Sequence, residues 1–382
     1  MISKLMGNIA LVTFSLFVCL FVLEFVVFRV VFEPSDLPIL QQRHDGVLKY
    51  EPKQSGTYRI KGEISAEYSY NEDGWNSAHE RYSLEKTKYR VAIVGDSFVD
   101  AIQVNYRDSL AEQLELLFSD DTVEVYRFGL SGAPLSQYTY MIEHEVMRYS
   151  PDLIVVVLVH NDFGQSLGGV TGEYTRSMLT YRIAKTGEII EDPPERYRRG
   201  VISRLKQSAL FRYLVVRQQH RELRPFFAQF LQRKEKTNVT IDSNLPRVQS
   251  NVEVSELSSP VNYLVAEHSF KKIASLASHE SSKVLFLMDA ARRETEAAGG
   301  TPDHTKLSAL NVNQEIAKAA ESANVDFLDL QSAVELDFIR NKEPFQFRLD
   351  SHWNEHMHKL VARSIYEWMC ARPDYLERDL CA

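Results

Sequence analysis

Residues 89–98 read Tyr89-Arg90-Val91-Ala92-Ile93-Val94-Gly95-Asp96-Ser97-Phe98. The run from Val91 to Val94 is compact, apolar and closed by a glycine. Such a run suits a strand buried on both faces, as in parallel sheets. A helix is expected soon after it. Ser109-x-x-Glu112 has the form of a capping box, and Leu110, Leu114, Leu117 and Phe118 make a helical stripe. Strand-like runs recur at 123–128, 153–159, 284–288 and 325–330. Helical patterns lie between them, around Tyr138–Val146, Phe270–Ala277 and Val312–Ala320. A last helix is expected from about Asn354 to Met369, with Leu360, Val361, Ile365 and Trp368 on one face. Strands alternating with helices indicate an α/β fold, a parallel sheet covered on both faces.

Open parallel sheets place their sites at the carboxyl ends of strands. The residues there are Gly95-Asp96-Ser97-Phe98, then Phe128-Gly129-Leu130-Ser131-Gly132, then His160-Asn161-Asp162. Before the last helix comes Asp350-Ser351-His352-Trp353-Asn354. These are the parts of an acyl-transfer site. A serine hydroxyl needs a base within reach, and histidine suits that role near neutral pH. The base needs an acid to fix its tautomer, and the oxyanion needs preorganised donors. Ser97, His352 and Asp350 fit nucleophile, base and acid; Gly132, Asn161 and the Ser97 N–H fit the oxyanion hole.

These four blocks, in this order, resemble the SGNH (GDSL-type) hydrolase superfamily over about 89–162 and 283–370. Gly95-Asp96-Ser97-Phe98 matches the first block, with Phe where Leu is common; Ser131-Gly132, Asn161-Asp162 and Asp350-x-His352 match the others. The resemblance implies a three-layer α/β/α sandwich with a parallel flavodoxin-like sheet. It also implies ester hydrolysis by a Ser97-His352-Asp350 triad, with no cofactor and no metal. The chain departs from the family in two places. Asp350-x-His352-Trp353-Asn354 replaces the frequent Asp-x-x-His, and is more similar to the SGNH-like alginate O-acetyltransferases and related polysaccharide-modifying proteins. Those are exported and work with multi-spanning membrane acyltransferases. His160 stands where many esterases have Gly. Both departures turn the expectation from a simple lipase toward an acylated glycan or polysaccharide, with hydrolysis or O-acetyl transfer as alternative outcomes. A non-catalytic glycan-binding or assembly subunit is the reading of another class.

Other residues invite plainer readings. Ser97 is a natural helix N-cap, Asn161 an Asx-turn residue, and Asp162 a structural one. His160 serves equally as a satisfied neighbour or a substrate contact. His352-x-x-Glu355-His356 has the form of an inverted zincin motif. A third ligand would have to come from the short remainder of the chain, and the blocks around Ser97, Gly132 and Asn161 would be left unused. His356 and His358 are therefore expected on the helix surface. Asn238-Val239-Thr240 is a formal glycosylation sequon.

The 382 residues allow one large domain or two modest ones. Hydrophobic residues are 44% and charged residues 25%, which excludes wholesale disorder. The net charge of −8 speaks against nucleic acid and, among glycans, favours a neutral or acetylated one. From Ile9 to Leu23 only Thr13 and Ser15 are polar, and the apolar run resumes after Glu24 and Arg29. About 20 apolar residues cross a bilayer as a helix. A cleaved signal peptide would be shorter and end in small residues, so an uncleaved single-pass anchor is expected. Lys4 and the amino terminus place the short tail in the cytoplasm and the catalytic domain in the periplasm or outside the cell.

The expected organisation is an anchor over 1–33, a β-rich lead-in over 34–88 and a catalytic domain over 89–372. That domain carries an insertion at about 163–260, a candidate lid with one amphipathic helix near Leu205–Val216. A tail, 373–382, follows. Cys19 falls in the anchor, while Cys370 and Cys381 can pair in an oxidising compartment.

Overall fold

The computed structural model describes residues 2–42, 46–60, 62–118, 121–169, 174–213, 259–305, 307–376 and 381. The chain divides into two compact units. The smaller comprises Met1–Leu37, Thr57–Arg59 and Arg199–Val248, the larger Pro38–Gly56, Ile60–Arg198 and Gln249–Ala382.

The larger unit is built on a five-stranded sheet. Its strands are β1 (Tyr89–Gly95), β2 (Val123–Gly129), β3 (Leu153–Leu158), β4 (Lys283–Met288) and β5 (Asp326–Asp329). Every neighbouring pair is parallel, in the spatial order β2-β1-β3-β4-β5. This is the flavodoxin-like order, whose switch point lies between β1 and β3. Every side chain of β3 is buried, as an apolar run in a doubly covered sheet requires.

One face of the sheet packs Val91, Ile93, Val155 and Leu287 against helices Leu110–Glu115, Gln331–Asn341 and Glu355–Cys370. On the last of these, Met357, Val361, Ile365 and Trp368 are all buried at helical spacing, each contributing roughly 1.5–3 kcal/mol. Helices Leu135–His144, Ser259–His279 and Ser308–Ala323 cover the other face, where the Phe270 and Phe286 rings meet at 3.9 Å. The result is a three-layer α/β/α sandwich.

Three features differ from the sequence expectation. First, the lead-in, which has strands over Leu40–Gln42, Leu48–Tyr50, Ser55–Ile60 and Ile64–Ser69, also supplies fully buried side chains to the larger unit. Val47, Leu48, Tyr50 and Trp75 are almost fully buried, and Lys49, wholly buried, pairs with Glu145 at 2.5 Å. Second, the start of the expected insertion belongs to the sandwich. Phe163, Leu179 and Tyr181 are buried, and Ser136 donates to the Leu179 carbonyl at 2.7 Å. Third, the helix expected near Leu205–Val216 is interrupted. A short helix, Val201–Leu205, ends in a turn, and residues 209–213 are again helical; residues 214–258, Val216 and Asn238 among them, lie outside the described residues. Ser109 stands at a helix N-cap, but its hydroxyl donates to Glu112 and caps no N–H, so the capping box is not closed.

In the smaller unit the apolar segment is an α-helix, Ile2–Val22, continued by wider π-type turns over Leu23–Val31. From Lys4 to Val31 it is long and apolar enough to cross a membrane, with Phe14 and Phe17 each 66% exposed.

Candidate active site

β1 ends at Gly95 and the chain turns at once into a short helix, Ser97–Asp100. Asp96 caps that helix, its carboxylate accepting the Phe98 N–H at 2.9 Å. Ser97 therefore sits at the first helical position, directly above the sheet. Its Oγ lies 2.7 Å from His352 Nε2. The other ring nitrogen, His352 Nδ1, is hydrogen-bonded to Asp350 Oδ1, which also accepts the His352 backbone N–H at 2.9 Å. Asp350 and His352 thus project from one tight turn, and that turn feeds the last helix. Asn354 caps this helix by accepting the Met357 N–H at 3.0 Å.

Gly132 follows β2 with φ +76°, a left-handed conformation that glycine adopts without strain. Asn161 follows β3, in the turn that opens the Asp162–Gly164 helix. Both stand at strand ends around the switch point. His160 lies beside it but is committed elsewhere. Its Nε2 is 3.0 Å from Asn313 Oδ1, while the Asn313 amide nitrogen donates to Asp289 O and Asp329 Oδ1. The amide oxygen must therefore accept, and His160 donates to it.

The zinc-motif residues separate. His352 uses both ring nitrogens on Ser97 and Asp350, while His356 pairs with Asp337 at 2.6 Å and Glu343 at 3.3 Å. His358 is not on the surface as expected. It is 1% exposed, and its Nδ1 accepts the Leu110 N–H at 3.2 Å. Burial, helped by the charge on Arg127, pushes its pKa down to about 3. It is a neutral core histidine that ties the last helix to the helix after β1.

Two groups of residues that sequence patterns did not single out hold the site in place. The first centres on Asp100, 1% exposed, at the end of the nucleophile helix. Its carboxylate accepts three hydroxyls: Tyr50 at 2.7 Å, Tyr70 at 2.8 Å and Ser131 at 2.6 Å. Burial raises its pKa and these hydrogen bonds oppose the rise. Ser131 precedes Gly132, so this carboxylate ties the Ser131–Gly132 loop to the Ser97–Asp100 helix. Tyr174 covers the same loop, donating to Ser131 O at 3.3 Å. Gly129 brings the backbones together, since a Cβ there would lie 2.1 Å from the Asp100 nitrogen.

The second group centres on Arg292, just beyond β4. It chelates Asp289, with Nε 3.2 and 3.1 Å from the two carboxylate oxygens. It also donates to Gln346 Oε1 at 2.8 Å and to the Ser351 carbonyl at 3.1 Å, inside the acid–base turn. The Trp353 indole donates to Asp289 at 3.1 Å. The Phe98 ring sits 4.9 Å from His352 and 5.2 Å from Trp353, with Arg292 over it at 5.4 Å.

Beneath Ser97 lie two buried carboxyls. Burial raises Asp96 to about 6, against hydrogen bonds from Phe98 and Ser97 and the nearby charge of His352. Asp162, which accepts the Val159 N–H at 2.8 Å, is also raised well above the usual carboxylate range, by burial and by the Asp96 charge.

Cys370 and Cys381 form a disulfide, their Cα atoms 5.8 Å apart.

No protein-family model matches the chain, and no curated protein matches it. Some solved structures are similar to it in fold. One is the acetyl xylan esterase AlAXEase, at 14% identity and TM-score 0.38, covering 73% of this chain and 98% of that one. Another is a catalytic mutant of Axe2, an acetylxylan esterase from Geobacillus stearothermophilus, at 10% identity and TM-score 0.39, covering 75% and 95%. A third is TesA, at 9% and 0.39, covering 73% and 96%.

Proposed function

We propose that the chain is a membrane-anchored serine ester hydrolase of the SGNH type that acts on O-acyl groups of a glycan. The observation that carries the reading is the continuous Ser97–His352–Asp350 relay at the switch point of the sheet, with the Ser97 hydroxyl 2.7 Å from the ring nitrogen that would take its proton. His352 Nε2 removes the hydroxyl proton as Oγ bonds to the ester carbonyl carbon. The oxyanion so formed is received by the N–H groups of Ser97 and Gly132 and the amide of Asn161. Asp350 stabilises the imidazolium. Collapse breaks the ester C–O bond, and the leaving alkoxide takes the proton from His352. Water, activated by the same base, then cleaves the acyl-enzyme.

The second reading replaces water by a sugar hydroxyl, making the protein an O-acetyltransferase for an exported polysaccharide, supplied by a multi-spanning membrane acyltransferase. It is favoured by the Asp350-x-His352-Trp353-Asn354 spacing. The apolar helix and the Cys370–Cys381 disulfide support a single-pass topology with the catalytic unit outside the cytoplasm.

The test is an aryl acetate assay on the detergent-solubilised full chain, with and without an oligosaccharide acceptor followed by mass spectrometry. Turnover abolished by Ser97→Ala supports the reading, and acetyl gain on the acceptor selects transfer. Binding of the glycan without any turnover would replace it with the assembly-subunit reading.

A further inference from the structure

The smaller unit contains a feature that neither catalysis nor anchoring uses. From Lys4 to Glu24 the helix climbs 20 residues, about 30 Å at 1.5 Å each, which matches the hydrocarbon thickness of a bilayer. A helix that spans from Lys4 therefore brings Glu24 to the opposite headgroup layer. Glu24 is occupied there. Its carboxylate accepts the Ser208 hydroxyl at 2.8 Å, the Ala209 N–H at 2.7 Å and the Leu210 N–H at 3.0 Å, and pairs with Arg29 at 3.3 Å. The Tyr213 ring packs 4.9 Å from Phe28 and 5.1 Å from Phe32. Residues 208–213 are thus held at the level of Glu24.

The chain leading into this dock has the chemistry of an interface. Between 199 and 213 stand Arg199, Arg204, Lys206 and Arg212, and there is no Asp or Glu. Arg212 is paired with Asp36. On the short helix before the dock, Val201 is 71% exposed and Leu205 45% exposed. Positions four apart share one helical face. Two apolar side chains on one face, with Arg204 exposed next to them and Lys206 following, suit a boundary between acyl chains and anionic headgroups.

We propose that residues 201–206 form a collar that lies in the headgroup layer of the bilayer the helix enters, with Val201 and Leu205 turned toward acyl chains and Arg204 and Lys206 on headgroup phosphates. The proposal rests on the reading that the helix spans the membrane. Glu24 fixes the depth, and residues 208–210, which begin two positions beyond the collar, are joined to Glu24 by three hydrogen bonds. A collar of this kind fixes the height and tilt at which the chain leaves the membrane.

The test uses the full chain in mixed phosphatidylcholine–phosphatidylglycerol vesicles, with a thiol-reactive fluorophore and lipids brominated either just below the headgroup or near the chain end. Native Cys19, the free thiol among the described residues, reports on the span. In a Cys19→Ser background, Leu205→Cys and, separately, Val201→Cys report on the collar. Leu84→Cys, exposed in the larger unit, is the control. The expected result is strong quenching of the Leu205→Cys and Val201→Cys probes by the shallow bromines, weak quenching by the deep ones, and none at Leu84→Cys. Shallow quenching should fall when phosphatidylglycerol is omitted or when Arg204 and Lys206 are both changed to Glu. If Cys19 is quenched by deep bromines while the collar probes behave like Leu84→Cys, the collar is overturned and the span stands. If Cys19 is not quenched either, the span fails and the collar falls with it. Collar probes shielded from both bromolipid and aqueous iodide would overturn the proposal in favour of a protein contact.

Discussion

The two halves of the candidate site are held by different forces. On the nucleophile's side, a single buried carboxylate, Asp100, gathers three neutral hydroxyls and joins helix to oxyanion loop. On the base's side, the turn that carries Asp350 and His352 is held by a charged pair, Asp289–Arg292, backed by Trp353 and Phe98. A hydroxyl cluster loses strength gradually, because each donor is worth about 1 kcal/mol. A buried ion pair fails abruptly, because removing one partner strands the other at roughly 3–5 kcal/mol. Damage to the base's side should therefore be steeper than damage to the nucleophile's side.

The largest effect should come where both halves meet. Ser97→Ala or His352→Ala should lower esterase turnover roughly 10⁴-fold or more, and the two changes combined should cost little beyond either one. Additive losses, read from kcat/KM of the three variants, would mean that the two residues do not act as a unit.

Next comes Arg292→Ala. It strands Asp289, which is 2% exposed, and releases the Ser351 carbonyl. Denaturant unfolding should show a loss of roughly 3–5 kcal/mol, and turnover should fall about 10²-fold from misplacement of the base. The Asp289→Asn/Arg292→Met double variant should recover much of the stability and little of the rate. Recovery of both would show that the pair is structural only.

Tyr50→Phe probes the gentler side. Asp100 keeps two hydroxyl donors, and Ser131 N–H loses an acceptor at 3.3 Å. The expected cost is about 1 kcal/mol of stability, with a several-fold fall in kcat and little change in KM. A fall as steep as that of Arg292→Ala would erase the contrast between the two halves.

The smallest effect concerns the buried carboxyls beneath Ser97. The folded pKa of Asp162 is raised, so the folded chain holds a proton that the unfolded chain releases. Its stabilising contribution is present at low pH and lost as pH rises through the folded value. For Asp96 the same loss runs from 3.8 to about 6. Asp162→Asn keeps an oxygen for the Val159 N–H and removes the charge. Its melting temperature should exceed the parent's by a few degrees at neutral pH, with the gap closing toward acid. A constant gap across the pH range would place the effect in packing instead.

The contrast also explains what could be read from the sequence. The strands of the sheet were legible because each is a short apolar run closed by a turn, and the last helix because its buried face repeats at helical spacing. The blocks at 95–98, 132 and 161 were legible because they follow strand ends, and 350–352 because it stands just before the last helix. The supports were not. Arg292 acts on Ser351 and Gln346 across more than fifty residues of chain, and nothing local marks it. Tyr70 falls within the lead-in expected to be β-rich, and nothing local marks Tyr50, although buried tyrosines need partners for their hydroxyls. Asp100, three residues after Ser97 in a buried helix, was the one available clue. His358 is hidden by tertiary packing that the sequence does not mark: the short Leu110–Glu115 helix covers its position on the last helix.

The contact at Gly129 has a wider meaning. No side chain intervenes between the end of β2 and the backbone at Asp100. The spacing between nucleophile and oxyanion loop is therefore gauged by main chain against main chain. The Asp100 hydroxyl cluster holds the two backbones at that contact. A side chain added at Gly129 is therefore expected to push the two backbones apart, a displacement that no repacking of other side chains relieves.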